Sequence, residues 1–348
     1  MREYRVVARE QELLTTPQSI FSRIIADVQR ARRSVDLEFY IFEADNVGRA
    51  FTELLARKAR QGVKVRVLLD GFGSRGVAGD IRRRLLRCGV EVLMSERIAN
   101  RRNHRKMVVV DGRVAYLGGI NIADRYVAGN ALGIWHDAVL RLEGAVAMGV
   151  VQAFEWDYCR FRGDAVSCDI TADAGVALHL SEASGGGAME SLLTDIASEA
   201  QREVIITTPY LFPTRRMLSI LGDAVWRGVR VRILLPERCD VWPLDSLMPI
   251  FIEEALAVGI EVVVVADAFL HAKLAIVDGR RVVVGSANLD ARSLYINREL
   301  MASTRDRGVC QAAKGFVDRV ALRARPAMRG GGGRPVARIF AHLLRDIL

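Results

Sequence analysis

The stretch HRKMVVVDGRVAYLGGIN, residues 104–121, recurs as HAKLAIVDGRRVVVGSAN, residues 271–288, with 167 residues between His104 and His271. In each copy an apolar run separates Lys from Asp, an Asp-Gly-Arg follows, and a second apolar run leads to Gly and Asn. Apolar runs of strand length joined by turn residues predict a β-hairpin, formed twice. On a strand, His and Lys two residues apart share a face. A turn centred on Gly279-Arg280 sets Ser286 opposite Lys273 and Asn288 opposite His271. One centred on Gly112-Arg113 sets Gly119 opposite Lys106 and Asn121 opposite His104.

Working outward, the duplication continues. GVKVRVLLD at residues 62–70 matches GVRVRILLP at 228–236, and RCGVEVLMS at 87–95 matches AVGIEVVVV at 257–265. An apolar strand (35–42; 204–211) precedes an amphipathic helix (about 48–61; 217–227) in both halves. Short β-rich runs alternating with helical patterns predict an α/β fold of two tandem domains, each a mixed sheet flanked by helices, related by a pseudo-twofold axis. The expected boundaries are residues 1–165 and 166–325, with a linker near Arg160–Thr171 and a loop at Ser184–Gly187. Residues 326–348 read as a Gly-rich flexible segment followed by an amphipathic helix at 335–348. That helix is expected to dock on the protein or, as the reading put ahead, on an anionic membrane surface.

With 348 residues, 51% hydrophobic and 26% charged, the chain has the composition of a folded globular protein rather than a disordered regulator. Its 50 Lys and Arg against 41 Asp and Glu give a net charge of +9, which suits anionic partners or serves solubility alone. The five cysteines (Cys88, Cys159, Cys168, Cys239, Cys310) are scattered and fit neither a disulfide framework nor a zinc site. No signal peptide is expected in the charged start MREYRVVAREQELL, and no apolar run reaches the ~20 residues of a membrane span. Arg82–Arg84 and Arg101-Arg102 read as solvated faces, with phosphate attraction as the alternative.

The repeated element carries the chemistry. Two such faces meeting across a pseudo-twofold would gather two His, two Lys and two Asn, with the Ser286 hydroxyl added by the second copy. This set suits a phosphodiester. One imidazole attacks phosphorus, the other protonates the leaving oxygen, and Lys and Asn donors stabilise the charge that develops. The chemistry needs no metal or other cofactor, and no HExxH, carboxylate cluster or Cys/His ligand set stands in the sequence. The expected catalytic set is His104, Lys106, His271 and Lys273, with Asp111 and Asp278 counted as motif members. The odd spacing of these two Asp from their His puts them across the strand or in the turn, where they would orient the hairpin. Asn121, Ser286 and Asn288 are expected to bind substrate. A nucleophilic His needs a partner on its other ring nitrogen, and the corresponding acids Asp137 and Glu299 are the candidates. His136 could line the pocket or satisfy a core hydrogen bond, while His179 and His342 have no supporting context.

The twice-found pattern H-x-K-x4-D-x6-G-[GS]-x-N resembles the phospholipase D superfamily. The words EFYIF (38–42), GGINIAD (118–124), WHD (135–137), TPY (208–210) and NLDARS (288–293), with Asn297 and Glu299, are similar to bacterial cardiolipin synthases in a short form without N-terminal membrane helices. The resemblance covers about residues 18–299. It implies two domains forming one site, a phosphatidyl-histidine intermediate, and transfer of the phosphatidyl group from phosphatidylglycerol or a related phospholipid to an alcohol. By analogy alone, it assigns His104 as nucleophile and His271 as acid. Expected partners are phospholipid substrates and an anionic membrane surface, with nucleic acid not expected. The protein would act as a monomer, peripheral to the cytoplasmic face of the cell membrane. Hydrolysis of phospholipids, a nuclease acting on DNA or RNA phosphodiesters, and a non-enzymatic binding scaffold stand as alternatives.

Overall fold

The computed structural model describes residues 10–95, 101–164, 170, 175–182, 187–328, 341 and 345. Two mixed sheets have the same strand order. In the first, the order is Gln11–Leu14, Val139–Glu143, Val114–Gly118, Met107–Val110, Ser34–Phe39, Lys64–Leu69, Glu91–Met94. In the second, Val176–Ser181, Glu299–Thr304, Arg281–Gly285, Lys273–Val277, Glu203–Thr207, Arg230–Pro236 and Glu261–Val265 take the corresponding places, and Ala324–Pro326 adds an edge strand. Within each sheet the three strands joined by helices run parallel and the hairpin side antiparallel. Helices supply the crossovers that parallel strands require.

The helices begin where local chemistry allows. Thr16 caps Pro17–Arg30 by accepting from Ser19 N, and Asp45 caps Asn46–Arg60 by accepting from Gly48 N. Their apolar stripes bury Ile20, Ile24, Phe51 and Leu55 against one face of the first sheet. Met189, Leu193 and Leu221 do the same for the second. The other faces of both sheets share one apolar cluster, to which Met148–Arg162 contributes Phe154 and Tyr158, and Arg307–Ala321 contributes Phe316 and Val317. This shared core holds the halves together. Among the described residues, no helix is long and apolar enough to cross a membrane.

Both hairpins form, but their register differs by one residue from the expected pairing. Lys273 pairs with Gly285 and Val277 with Arg281, while Met107 pairs with Leu117 and Val110 with Val114. The reason lies in the turn. Asp111 and Gly112 are both left-handed, at φ 54° and 63°, as are Asp278 and Gly279 at 50° and 67°. The tight turn therefore uses Asp-Gly, closed by Arg113 N to Val110 O at 3.0 Å and Arg280 N to Val277 O at 2.9 Å. The Arg that follows is taken up unpaired in the loop. A one-residue slip exchanges the faces of a strand, so Ser286 does not stand opposite Lys273.

The loop expected at Ser184–Gly187, apart from Gly187, and the C-terminal helix, apart from Ala341 and Arg345, lie outside the described residues. Those two residues meet the protein's own surface rather than facing away toward a membrane. Ala341 is buried with Phe212 and Phe251, and Arg345 pairs with Glu254 beneath its contact with the Phe251 ring.

Candidate active site

The motif histidines sit just before the first hairpin strand of each half, where the two halves touch. His104 N donates to Arg298 O at 3.0 Å, and Arg298 N donates to Arg102 O at 3.0 Å. In the mirrored place His271 N donates to His136 O at 2.8 Å, extending the parallel pairing of Ala268–Leu270 with Ile134–His136. Each of these backbone contacts carries the next residue of the opposite half, Glu299 or Asp137, against the imidazole. The outcome is crossed. Glu299 lies 3.0 Å from Nδ1 of His104, and Asp137 lies 2.7 Å from Nδ1 of His271. Each histidine is thus oriented by the acid of the other half, and neither half holds a complete site.

Four of the expected catalytic side chains converge here. Lys106 Nζ donates to His104 O, and Lys273 Nζ donates to His271 O at 2.6 Å. Burial dominates their ionisation. It pushes His104 down to about 4 and His271 down to about 3, in each case against the pull of the adjacent carboxylate. It also lowers Lys106 and brings Lys273 down to about 8. Burial works to raise Glu299, yet His104, Lys106 and the Ser286 hydroxyl bring it down to about 2. At neutral pH both imidazoles are therefore neutral. With Nδ1–H directed at a carboxylate, the reactive electron pair belongs to Nε2.

The two halves are not equivalent. Lys273 Nζ lies 3.0 Å from His271 Nε2, whereas His104 Nε2 has no hydrogen-bond partner among the described residues. The His104 side chain is also the more accessible, 12% exposed against 7% for His271. Aromatic walls enclose both rings. Tyr40 meets His104 edge-on at 5.0 Å between centroids, while Tyr126 and Trp135 stand 5.3 Å and 5.2 Å from His271.

The other expected residues take different places. Ser286 Oγ donates to Glu299 Oε2 at 2.5 Å and accepts from Leu300 N at 3.0 Å, so its hydroxyl is committed to the carboxylate that orients His104. At the matching position, Gly119 leaves the room that Asp137 occupies: a Cβ there would lie 2.4 Å from Asp137 Oδ1. Asn121 accepts from Ile41 N at 3.0 Å and donates to Tyr126 OH at 2.6 Å, ordering the wall around His271. Asn288 is buried at the site's edge, and its Oδ1 has no partner among the described residues.

Asp111 and Asp278 do not belong to the catalytic set, which corrects their inclusion in it. Each occupies a hairpin turn, separated from its Lys by a strand of four or five residues, roughly 13–17 Å of chain at about 3.3 Å per residue. Asp111 accepts from the backbone N–H groups of Arg32, Arg33 and Ser34 at 2.7–3.1 Å, and Asp278 from those of Gln201, Arg202 and Glu203 at 2.8–2.9 Å. They fasten each turn to the start of the central strand.

His136 contributes its carbonyl to hold His271, while Arg323 and Arg319, which help to lower its imidazole after burial, belong to the far side of the shared core. His179 meets Ser303 Oγ at 3.3 Å on the second sheet's edge, and His342 lies outside the described residues. Arg83 and Arg84 pair with Asp80 and Glu53 as a solvated helix face, whereas Arg102 stacks over Phe72 at 4.7 Å beside the Tyr40 wall. One important residue escapes sequence reasoning. Arg105, fully buried, ties His104's segment to Asp157, Glu182, Ser181 O and Glu299 O. Its only sequence signal was the contrast with Ala272 at the same motif position.

The comparisons with known proteins agree with this arrangement. A family profile described as "Cardiolipin synthase, PLD-like domain" matches residues 24–152 and again 193–320. A probable cardiolipin synthase of Bacillus subtilis is 31% identical over 313 residues, covering 83% of this chain and 61% of the relative. Cardiolipin synthase A of Pseudomonas putida is 34% identical over 311 residues, covering 85% and 65%. The chain thus spans somewhat under two thirds of the length of these relatives. Among solved structures, phosphatidylserine synthase of Haemophilus influenzae superposes with a TM-score of 0.78 at 13% identity, over 97% of this chain and 95% of that one. Polyphosphate kinase of Porphyromonas gingivalis gives a TM-score of 0.67 at 14% identity, over 97% and 53%. These structural likenesses speak for the fold alone.

Proposed function

The chain belongs to the family of cardiolipin synthase phospholipase D-like domains, and from that premise we propose that it is a phosphatidyltransferase working through a covalent phosphatidyl-histidine. The observation that carries the reading is the pair of crossed His–carboxylate contacts, His104 with Glu299 and His271 with Asp137. His104 Nε2, accessible and without a partner among the described residues, attacks phosphorus as the bond to the leaving alkoxide breaks. His271 and Lys273, 3.0 Å apart, hold one proton between them, and it passes through His271 to the leaving oxygen. Lys106 and Lys273 stabilise the charge on the phosphoryl oxygens. The acceptor hydroxyl then returns its proton to His271 and attacks phosphorus, and the P–N bond breaks to regenerate His104.

With phosphatidylglycerol as donor and a second phosphatidylglycerol as acceptor, the products are cardiolipin and glycerol. The names of the relatives support this choice. One chain supplies both halves of the site, which supports action as a monomer. The net charge of +9 supports peripheral contact with an anionic phospholipid surface on the cytoplasmic side.

The test incubates the purified protein with EDTA and vesicles of labelled phosphatidylglycerol, beside His104→Ala and His271→Ala. Cardiolipin from the wild type alone supports the proposal. Acid-labile label on the protein should persist in His271→Ala when the leaving group is p-nitrophenol, and should be absent from His104→Ala. Phosphatidic acid as the main product would replace transfer with hydrolysis. No lipid turnover, with DNA cleaved in a parallel reaction, would replace it with a nuclease.

A further inference from the structure

Beside the site, the two halves differ in how tightly they are packed. Under the hairpin of the second half lies an apolar cavity of about 70 Å³, walled by Leu193, Ile196, Ala275, Val283 and Ala287 and reaching the site at Lys273 and Asn288. The same place in the first half, bounded by Ile24, Phe39, Lys106, Val108, Tyr116 and Ile120, holds about 10 Å³. The hairpin and central-strand registers match these walls one by one. Val108 answers to Ala275, Tyr116 to Val283, Ile120 to Ala287, and Phe39 to Thr208. Four replacements, all toward the smaller side chain, empty the second half where the first is filled.

Interiors are ordinarily close-packed, and an emptied core destabilises the fold. A space of about 10–15 Å³ is needed for one water, so the first half's gap is closed even to water, while the second half's has room for several atoms. Its apolar walls offer water no partners. At its mouth, Asn288 is 8% exposed and its Oδ1 is unpartnered among the described residues. An apolar slot leading away from a phosphodiester-binding Lys, with an open amide acceptor at the junction, fits a molecule that is polar at the phosphate and apolar beyond it.

We propose that this cavity receives the first methylenes of an acyl chain of the phospholipid bound at Lys273, so that one lipid is gripped by its chain in the second half while the other is held by its headgroup alone. The proposal rests on the phosphatidyltransferase reading for its substrate, but the cavity can be tested apart from turnover. The test installs the first half's own residues, as Ala275→Val, Ala287→Ile and the pair. Two quantities are read in each protein: the ratio of kcat/KM for dioctanoyl- over dibutyryl-phosphatidylglycerol, and the ratio of their binding affinities by calorimetry. Because each is a ratio within one protein, a general folding defect cancels.

The expected result is that the wild type prefers the longer chain by about tenfold or more in both ratios, the worth of roughly two buried methylenes, and that the double variant loses most of that preference. A preference unchanged in both single variants and in the pair would overturn the proposal, as would a wild type with none. If the wild type binds the lipids with the chain preference but turns neither over, the catalytic reading fails while the cavity's role stands.

Discussion

Replacing Gly119 by Ala is a steric probe of the Asp137–His271 pair. Gly119 does not use a left-handed φ, so the added methyl acts through contact alone. Its Cβ would lie 2.4 Å from Asp137 Oδ1 and 2.8 Å from Oδ2, where ordinary contact begins at 3.4 Å. The carboxylate therefore has to move by about 1 Å, against restraint at both oxygens: Oδ1 accepts from Ala138 N at 2.8 Å, and Oδ2 meets His271 Nδ1 at 2.7 Å. A shift of ~1 Å carries the latter beyond hydrogen-bonding range. A hydrogen bond to a charged group contributes about 1.5–3 kcal/mol, so kcat/KM for cardiolipin formation should fall by about 10- to 150-fold. The His104–Glu299 pair is untouched. The loss should therefore shrink with a p-nitrophenyl phosphodiester, whose leaving group needs little protonation, and the His271 imidazole resonances should shift. Wild-type turnover with the alkyl leaving group, or an equal loss with both leaving groups, would refute this reasoning.

The pH profile of kcat/KM should keep its acidic limb near 4, the value to which burial lowers His104, with a basic limb near 8 from Lys273; an acidic limb at the ordinary 6.5 would show a solvated nucleophile. The same depression has a stability sign: between about 6.5 and 4 the unfolded chain takes up the proton that folded His104 refuses, so thermal midpoints should decline as pH falls through that window. Ser286→Ala removes the 2.5 Å hydrogen bond to Glu299 and should raise the Glu299 pKa and lower kcat by about 5- to 20-fold, with little change in melting; undiminished kcat would return the hydroxyl to another role. Asp111→Ala and Asp278→Ala should each cost about 1–2 kcal/mol of stability, discounted for their exposure, and leave kcat of the folded protein intact. Backbone hydrogen bonds hold both carboxylates below the ordinary 3.8, so their contribution is present above that pH and disappears as pH falls through the depressed values, which melts at pH 7 and pH 3 would reveal. A kcat defect in fully folded protein would contradict their assignment to the scaffold.

How much of this was legible beforehand depends on the range of each interaction. The duplicated hairpins, the strand and helix order, and the gathering of His104, Lys106, His271 and Lys273 follow from period-2 and period-3.6 patterns and from a repeat, all of which are written along the chain. The hairpin register missed by one residue because it hung on whether Asp111 or Gly112 opens the turn, and the left-handed φ of both is stabilised by hydrogen bonds from Arg32, Arg33 and Ser34, nearly 80 residues away. That slip is why Ser286 and Asn121 could be named as substrate ligands when they support the ligands' neighbours.

Sequence alone determined which side chains are present twice and which acids correspond, because spacing within a motif survives as spacing in the chain. Only the tertiary structure decided that the acids cross over, with Glu299 195 residues from His104 and Asp137 134 residues from His271. It alone decided too that one half is filled by Phe39, Tyr116 and Ile120 where the other stays open. Both features arise where separately folded halves meet or pack, and the energies that select them, burial of charge and filling of volume, depend on neighbours that local periodicity does not record.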